Sequence, residues 1–450
     1  MGRPRGSSNL GADPRGDTAA PALSTLNRRD ATSSGSEKDA REKAQKPHSK
    51  RRKAKSALRR YARISLKYTW LNPLLIVLAI LSAYSVNPGP QNPLHKALVI
   101  SYNEGPAFPG GPNRYGKGKA DFAFVSFYTV VLSFTREFIM QQVIRPTAIR
   151  AGIRNRGKQA RFMEQVYTAM YFAIFGPFGL YVMKNAEEGG LWYFRTISMF
   201  EGFPHRAHDG IFKAYYLLQA SYWTQQAIVL LLQLEKPRKD FKELVLHHIV
   251  TLALIGLSYR FHFAKMGIAV FITHDISDFF LASSKTLNYL DSFIVGPYYL
   301  TFIGVWVYLR HYINLHVLWS TLTEFRTVGP FELNWETQQY KCLLSQVITF
   351  SLLACLQAVN LFWLYLILRI AKNYVFNNVT QDERSEDEAT DQEAEVKEEN
   401  KTLNGHPVKK QLENGTTVDS DNPVVLVNGQ PMESQAKPEG VPLRRSPRKG

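Results

Sequence analysis

The sequence predicts an all-α polytopic membrane protein of about eight transmembrane helices, with a disordered arm at each end. Between Tyr68 and Ala371 the 450-residue chain repeats long runs of Leu, Ile, Val, Phe, Tyr and Trp. A bilayer core about 30 Å thick needs roughly 20 such residues per helix, and these runs are long enough. The mean hydropathy of the whole chain is only −0.21, because strongly polar ends offset this apolar middle.

Helix-breaking segments or charged segments separate the predicted helices. The first helix ends at "NPGPQNP", and the fifth and sixth flank a very short turn near "FHFAK", which predicts an antiparallel hairpin. No cleavable signal peptide precedes the first apolar run, so we expect that run to remain as a membrane anchor. The predicted helices span residues 68–86, 122–144, 162–183, 211–234, 243–261, 266–285, 293–317 and 342–370.

This pattern divides the chain into four parts. A disordered basic arm (1–67) precedes the first helix and its far-side loop (68–121), the main membrane domain (122–372) and a disordered tail (373–450) that begins strongly acidic. Segments so rich in charged and small residues bury too little apolar surface to fold.

The formal net charge of +17 does not indicate nucleic-acid binding, because the basic residues flank membrane helices. The densest cluster, "KPHSKRRKAKSALRRYARISLKYTW", runs directly into the first helix, and the segments after the second and fourth helices are also basic. Lys and Arg are enriched on the cytosolic side of membrane helices. Eight crossings then place both termini in the cytosol, and glycosylation at Asn378, Asn400 or Asn414 would contradict this orientation.

Five polar side chains interrupt the fifth and sixth predicted helices: His247, His248, His274, Asp275 and Asp278. Charged groups in hydrocarbon cost several kcal/mol unless they are paired or hydrated, so such residues mark functional sites. Asp278 lies three residues after Asp275 and four after His274, which places it near both on the helix surface. The hairpin brings all five into the same cytosolic half of the bundle.

Three interpretations of this cluster are open from the residues alone. It forms a buried hydrogen-bond network, a metal site, or a centre for acid–base or nucleophilic chemistry. A metal site is not favoured, because His311 and His316 add only a loose pair and Cys342 and Cys355 lack ligand spacing. Two histidines and two aspartates on one hairpin favour chemistry, since a carboxylate-oriented imidazole removes protons or attacks carbonyls.

The block "HHIVTLALIGLSYRFHFAKMGIAVFITHDISDFFLASSKTLNYL" closely resembles the signature motif of the ceramide synthases, the longevity-assurance family with a TLC domain. The form of the motif in this sequence is most similar to the fungal, budding-yeast type. The resemblance extends over roughly residues 65–385. It includes "REFIMQQVIRP", "GPFGLYVM", "QLEKPRKDFKELV", "YLRHYINLHVLWSTLTEF" and "NWETQQYKCLL".

The resemblance implies a sphingoid-base N-acyltransferase of the endoplasmic reticulum membrane. Such an enzyme transfers a very-long-chain fatty acyl group from acyl-CoA to dihydrosphingosine or phytosphingosine, with acyl-CoA as co-substrate and no further cofactor or metal. A small single-span accessory subunit and a second ceramide synthase chain are the implied protein partners. The alternative is a non-enzymatic TLC-domain protein that binds lipid or assists translocation.

The family motif falls on His247, His248, Asp275 and Asp278, which the resemblance implies are catalytic. His274 and Asn288 are supporting polar candidates. The family pattern and the residues together allow two mechanisms: His247 attacks the thioester, or it deprotonates the sphingoid amine. Asp275 or Asp278 would orient the imidazole.

Binding of the CoA phosphates needs basic side chains on the cytosolic side. The segment "EKPRKD" after the fourth predicted helix supplies three candidates, Lys236, Arg238 and Lys239. Lys285, near the end of the sixth predicted helix, is a fourth.

Overall fold

The computed structural model describes residues 50–185, 190–234, 240–377, 426–427 and 430–431. All eight segments predicted to be helical are helical, and their ends differ from the prediction by a few residues. The helices are α1 (Lys50–Lys67), α2 (Leu71–Val86), α3 (His95–Leu98), α4 (Ala120–Phe138), α5 (Arg145–Arg150), α6 (Arg156–Asn185), α7 (Gly210–Leu231), α8 (Phe241–Arg260), α9 (Ala264–Tyr289), α10 (Val295–Trp306), α11 (Asn314–Ser320), α12 (Glu324–Thr327) and α13 (Leu343–Asn377). Short π-helical segments, Ile139–Ile144 and Val307–Ile313, join α4 to α5 and α10 to α11.

Among the described residues, five helices are long and apolar enough to cross a membrane. They are Ala120–Arg150, Arg156–Asn185, Phe241–Arg260, Ala264–Tyr289 and Leu343–Phe376. A sixth crossing results if the last part of α1 and α2, which meet at a bend of 105°, count as one. Helices α7 and α10–α11 are of similar length but carry buried polar groups, such as Gln219 and Arg310, that lower their hydropathy. The number of eight crossings therefore stays a prediction.

Part of the arm that we expected to be disordered forms α1. Its apolar residues Ala57, Tyr61 and Ile64 recur at helical spacing, while basic residues cover much of the remaining surface. The bend into α2 is held by Asn72, which accepts a hydrogen bond from Tyr61 Oη at 2.6 Å and donates one to Ser65 Oγ at 2.6 Å. Helix α1 therefore leaves the axis of α2 almost at a right angle.

Three connections meet at one end of the helix bundle. Strands β1 (Asn103–Pro106), β2 (Asn113–Tyr115) and β3 (His208–Asp209) form a small antiparallel sheet, although the first two follow α2 and the third precedes α7. At the same end Arg206 Nη2 donates to the carbonyl oxygen of Thr337 at 2.7 Å. The loops before α7 and α13 and the loop after α2 therefore share one face.

Other connections meet at the opposite end. Lys158, at the start of α6, lies 4.0 Å from Asp291, which follows α9. Asp240, just before α8, accepts a hydrogen bond from Trp363 Nε1 at 3.3 Å. The long helices between these two ends thus alternate in direction, as the sequence predicts for consecutive membrane helices.

A buried ion pair and a neutral histidine support the end that carries the sheet. Lys213 Nζ lies 2.8 Å from Asp121 Oδ1, and Tyr259 Oη donates to Asp121 Oδ2 at 2.8 Å. In the turn between α8 and α9, burial and then the nearby Lys117 ammonium lower the pKa of His262 to about 4. His262 is therefore neutral near pH 7, and it accepts a hydrogen bond from Lys117 Nζ at 3.3 Å.

The core of the bundle brings α9 close against α6. Gly179 on α6 allows this approach, because a Cβ atom there would lie 2.8 Å from Ile272 Cγ1 and 2.5 Å from Tyr215 Oη. Even a methyl group would therefore push α9 and the Tyr215 side chain away. This packing places the polar residues of α9 next to α7.

The chain separates into two units, residues 1–380 and 381–450, and the helices described above belong to the first. Helix α13 continues to Asn377, past the boundary expected at 372. In the second unit, β4 (Leu426–Val427) pairs antiparallel with β5 (Gln430–Pro431), within a tail for which the sequence predicts disorder.

Candidate active site

An apolar cavity lies between α8, α9 and α13, with empty space of about 1170 Å³ when its open side is included. Along α8 its lining runs from His247 to Phe261, fourteen residues or about 21 Å at 1.5 Å per residue. At the far end the wall is formed by the loop before α13, including Trp335 and Tyr340. Long apolar cavities with a few polar groups suit lipid chains.

His247 lies at the end of the cavity that is remote from this loop. It is 5% exposed, and the rings of Trp363, Trp223 and His248 surround it at centroid distances of 5.0, 5.8 and 5.6 Å. Its Nε2 is 3.5 Å from Thr251 Oγ1, whereas its Nδ1 has no hydrogen-bond partner in the described part of the chain. An imidazole with an unused nitrogen in an apolar cavity can act as base or nucleophile.

His248 lies beside His247 with its ring almost perpendicular to it, at an interplanar angle of 87°. Its Nδ1 is 2.9 Å from the carbonyl oxygen of Leu244 and donates to it, since a carbonyl can only accept. The proton on Nδ1 leaves the lone pair on Nε2, a tautomer suited to accepting a proton. The two adjacent histidines therefore have different environments on the same helix.

His274 also lines the cavity, but both of its ring nitrogens are engaged. Nδ1 donates to the carbonyl oxygen of Val270 at 2.8 Å, and Nε2 accepts from Asn360 Nδ2 at 3.3 Å. This arrangement requires a neutral imidazole with its proton on Nδ1. His274 thus links α9 to α13 rather than offering a nitrogen to a substrate.

Asp278 is paired with Arg310. Arg310 Nη2 donates to Asp278 Oδ1 at 2.5 Å, its Nε donates to Ser277 Oγ at 2.6 Å, and its Nη1 donates to Asn360 Oδ1 at 3.0 Å. The guanidinium also stacks on Trp306, 4.2 Å from the ring centroid. Arg310 is 1% exposed, so this group of contacts ties α9, α10 and α13 together around a buried charge.

Asp275 faces α7. It is fully buried, and its Oδ2 accepts hydrogen bonds from Gln219 Nε2 and from Tyr215 Oη, the latter at 3.3 Å. Tyr171 Oη in turn donates to Gln219 Oε1 at 3.3 Å. This carboxylate therefore sits in a network that joins α6, α7 and α9.

These contacts correct one expectation. Neither Asp275 nor Asp278 is hydrogen-bonded to His247 among the described residues, so the direct carboxylate–imidazole contact does not form. The reason is the rotation of α9, which directs one carboxylate to α7 and the other to Arg310. The two aspartates support the walls that hold the histidines.

The other predicted residues lie away from this cluster or outside the described residues. Asn288 is ten residues beyond Asp278 on α9, about 15 Å along the helix. Lys285 lies between them, and neither Lys285 nor Asn288 lines the cavity. The segment 235–239, with Lys236, Arg238 and Lys239, lies outside the residues that the structure describes. In the described ranges no group of three or more His, Cys, Asp or Glu residues is placed to hold a metal ion.

Sequence reasoning missed three residues of this site: Arg310, Asn360 and Trp223. Arg310 carried a signal, since an arginine inside an apolar helix needs a partner and Asp278 was an obvious acid. By contrast, no sequence pattern predicted the π-helical segment that contains Arg310. Asn360 and Trp223 resemble many other residues of membrane helices, so nothing in their local sequence distinguishes them.

Fold and site together define a multi-pass helical membrane protein with a TLC domain, and the model of that domain matches residues 161–369. The sphingosine N-acyltransferase-like protein FUM17 of Gibberella moniliformis is 51% identical over 72% of this chain and 84% of its own length. Sphingosine N-acyltransferase lac1 of Schizosaccharomyces pombe is 48% identical over 75% and 87%. Ceramide synthase LAG1 of Saccharomyces cerevisiae is 48% identical over 75% and 80%. This chain belongs to the fungal ceramide synthase family.

Proposed function

We propose that this protein is an acyl-CoA-dependent N-acyltransferase that joins a fatty acyl group to the amine of a sphingoid base. The observation that carries the proposal is His247 at one end of a long apolar cavity, where its Nδ1 has no hydrogen-bond partner among the residues that the structure describes. The cavity holds the acyl chain and the imidazole reacts with its thioester. Family membership and the names of the relatives support the same reaction.

The proposed reaction has two steps. His247 Nδ1 attacks the thioester carbonyl carbon, the C–S bond breaks, and CoA leaves as a thiolate. The sphingoid amine then attacks the acyl-imidazole, the new C–N bond forms and the C–N bond to His247 breaks. His248 Nε2 accepts the amine proton and passes it on to the thiolate, so the products are ceramide and CoA. The thioester is already activated, so acyl-CoA is the only co-substrate that we propose.

The remaining motif residues have positioning roles in this proposal. Asp278 fixes Arg310 and, through Asn360, the orientation of His274 in the cavity wall. Asp275 fixes Gln219 and Tyr215 on α7, the helix that also carries Trp223.

We further propose eight membrane crossings, with both termini in the cytosol, in the endoplasmic reticulum membrane. The alternation of the connections between two ends of the bundle supports the even number, with α2, α7 and α10–α11 added to the five apolar helices. The basic residues of α1, which precedes α2, support the cytosolic side for the end of the bundle opposite the small sheet. His247 then lies about 9 Å from the cytosolic end of α8, within reach of a CoA thioester.

The proposed protein partners are a small single-span accessory subunit and a second ceramide synthase chain. Helices α10 and α11, with the π-helical segment between them, offer an exposed apolar face to lipid or to a partner helix, including Leu300, Tyr312 and Trp319. The alternative function, a lipid-binding or translocation-associated protein without catalysis, does not account for an imidazole at the end of the cavity whose Nδ1 lacks a partner in the described ranges.

The direct test is purified protein in lipid vesicles, supplied with dihydrosphingosine or phytosphingosine and acyl-CoAs from octanoyl to hexacosanoyl. We expect ceramide and free CoA in equal amounts, with a preference for very-long-chain donors. Lipid binding without product formation in correctly folded protein would instead support the non-enzymatic alternative.

A second prediction tests where the acyl chain lies. Cys342 lines the cavity wall near its far end, and the chain has only one other cysteine, Cys355, which does not line the cavity. In the Cys355→Ser variant, a non-reactive ether analogue of a very-long-chain acyl-CoA should slow the labelling of Cys342 by a lipophilic maleimide. The octanoyl analogue should not, because its chain ends well short of that position.

The Cys342→Ser variant is the matched control, since neither analogue should change the rate at which the maleimide labels Cys355. Equal protection of Cys342 by short and long chains would contradict the assignment of this cavity to the acyl chain.

A further inference from the structure

The indole of Trp223 packs against both histidines of the proposed active site. Its ring centroid is 5.8 Å from that of His247 and 6.1 Å from that of His248, and both contacts are edge-on. The side chain comes from α7 and forms part of the cavity wall. It is therefore within reach of any group that reacts at His247.

The indole N–H of Trp223 has no acceptor in the described part of the chain, although the residue is only 7% exposed. Indole can donate but not accept, and a buried donor that stays unpaired destabilises the fold. Buried tryptophans normally find a partner for this group. An acceptor supplied by a bound molecule would remove the cost.

Trp363 provides the contrast. Its ring also packs edge-on against His247, at 5.0 Å, and it is 8% exposed. Its N–H, however, donates to Asp240 Oδ2 at 3.3 Å. Two indoles thus flank one imidazole, and among the described residues an acceptor is present for the N–H of Trp363 but not for that of Trp223.

We propose that Trp223 is a catalytic residue whose N–H donates a hydrogen bond to the thioester carbonyl oxygen as that oxygen becomes negative. The inference rests on the proposed acyl transfer. Attack by His247 moves the C=O π electrons onto oxygen, and they return when the C–S bond breaks. A fixed donor in a cavity that excludes water is worth more to such an oxyanion than the same donor in water. His274 cannot serve, since both of its ring nitrogens are engaged.

The first test removes the N–H and keeps an aromatic ring. Trp223→Phe should lower kcat by about 10²–10³-fold, the usual loss for one oxyanion donor, with little change in KM. Trp363→Phe is the matched control, because it makes the same chemical change beside the same imidazole. We expect less than a tenfold loss there. If the smaller ring disturbs the fold, β-(3-benzothienyl)alanine at position 223 replaces the N–H with sulfur at almost unchanged size.

The second test changes the acceptor. In a dithioester analogue of acyl-CoA, sulfur replaces the carbonyl oxygen and accepts hydrogen bonds poorly. The rate ratio between thioester and dithioester should be large for the wild-type protein and for Trp363→Phe, and at least tenfold smaller for Trp223→Phe. A purely structural role for Trp223 would leave this ratio unchanged.

The outcomes separate the two proposals. An active wild-type protein whose Trp223 variants keep near-normal kcat, or keep the wild-type rate ratio, contradicts the role of Trp223 alone. A folded wild-type protein that forms no ceramide from any acyl-CoA contradicts the proposed function, and the inference fails with it.

Discussion

His247→Ala should abolish nearly all ceramide formation while the protein accumulates and folds normally. General acid–base assistance alone contributes about 10²–10⁴-fold, and loss of a covalent step costs more. The fold should tolerate the change, because within the described ranges the imidazole has a single hydrogen-bond contact, with Thr251 at 3.5 Å, close to the limit for such a bond. The measurement is the initial rate of ceramide formation at equal amounts of folded protein in vesicles.

His311→Ala is the matched control for the loss of a buried intramembrane histidine. His311 is 7% exposed, bonds to Gln357 at 2.7 Å and does not line the cavity. We expect its variant to stay within about tenfold of the wild-type rate. Near-normal turnover by His247→Ala would show that this imidazole only fills space between Trp223 and Trp363.

The two mechanisms for His247 differ in one observable. If the imidazole attacks the thioester, wild-type protein incubated with acyl-CoA and no sphingoid base should gain the mass of one acyl group. The His247→Ala variant should not, and His248→Ala should still gain it, because His248 acts on the amine in the second step. Active wild-type protein that never carries this mass would favour direct attack by the amine, with His247 as its base.

The helices and the polar candidate residues within them could be predicted from the sequence, for a simple physical reason. The cost of placing polar groups in hydrocarbon forces long apolar runs, and it makes the exceptions, such as His247 and Asp278, conspicuous. The pairing of those exceptions was not accessible. It depends on how α9 rotates and which helices surround it, and a rotation of about 100° per residue decides whether a carboxylate meets an imidazole or a guanidinium.

Two other features depend on contacts distant in sequence. The segment "NEGPAFPGGPNRYGKGK" has the composition of a loop, yet part of it forms β1 and β2 because β3, about a hundred residues later, completes the sheet. The indole of Trp223 is distinguished only by the fold: in the part of the chain that the structure describes, its N–H has no acceptor, whereas that of Trp363 has one. Single-residue patterns carry no information about such differences.

Removing one member of the Asp278–Arg310 pair should strongly destabilise the protein. Arg310→Met leaves a carboxylate inside the bundle without its cation, and Asp278→Asn leaves a guanidinium that is 1% exposed without its anion. Breaking a buried ion pair in this way costs on the order of 3–5 kcal/mol. Each single variant should therefore show a large loss of folded protein and of ceramide formation, measured by thermal unfolding in detergent and by the vesicle assay.

The double variant, Asp278→Asn with Arg310→Met, separates support of the fold from chemistry. With both charges removed, the folded fraction should return, since a neutral pair of similar volume has little desolvation cost to offset. Because Asp278 contacts Arg310 and not His247, we also expect ceramide formation to return to within about tenfold of the wild-type rate. Asp291→Asn, which makes the same change in the exposed pair with Lys158, should alter neither property measurably. A double variant that folds but stays inactive would mean that the Asp278 carboxylate takes part in the reaction itself, through a contact that forms only when the substrates are bound.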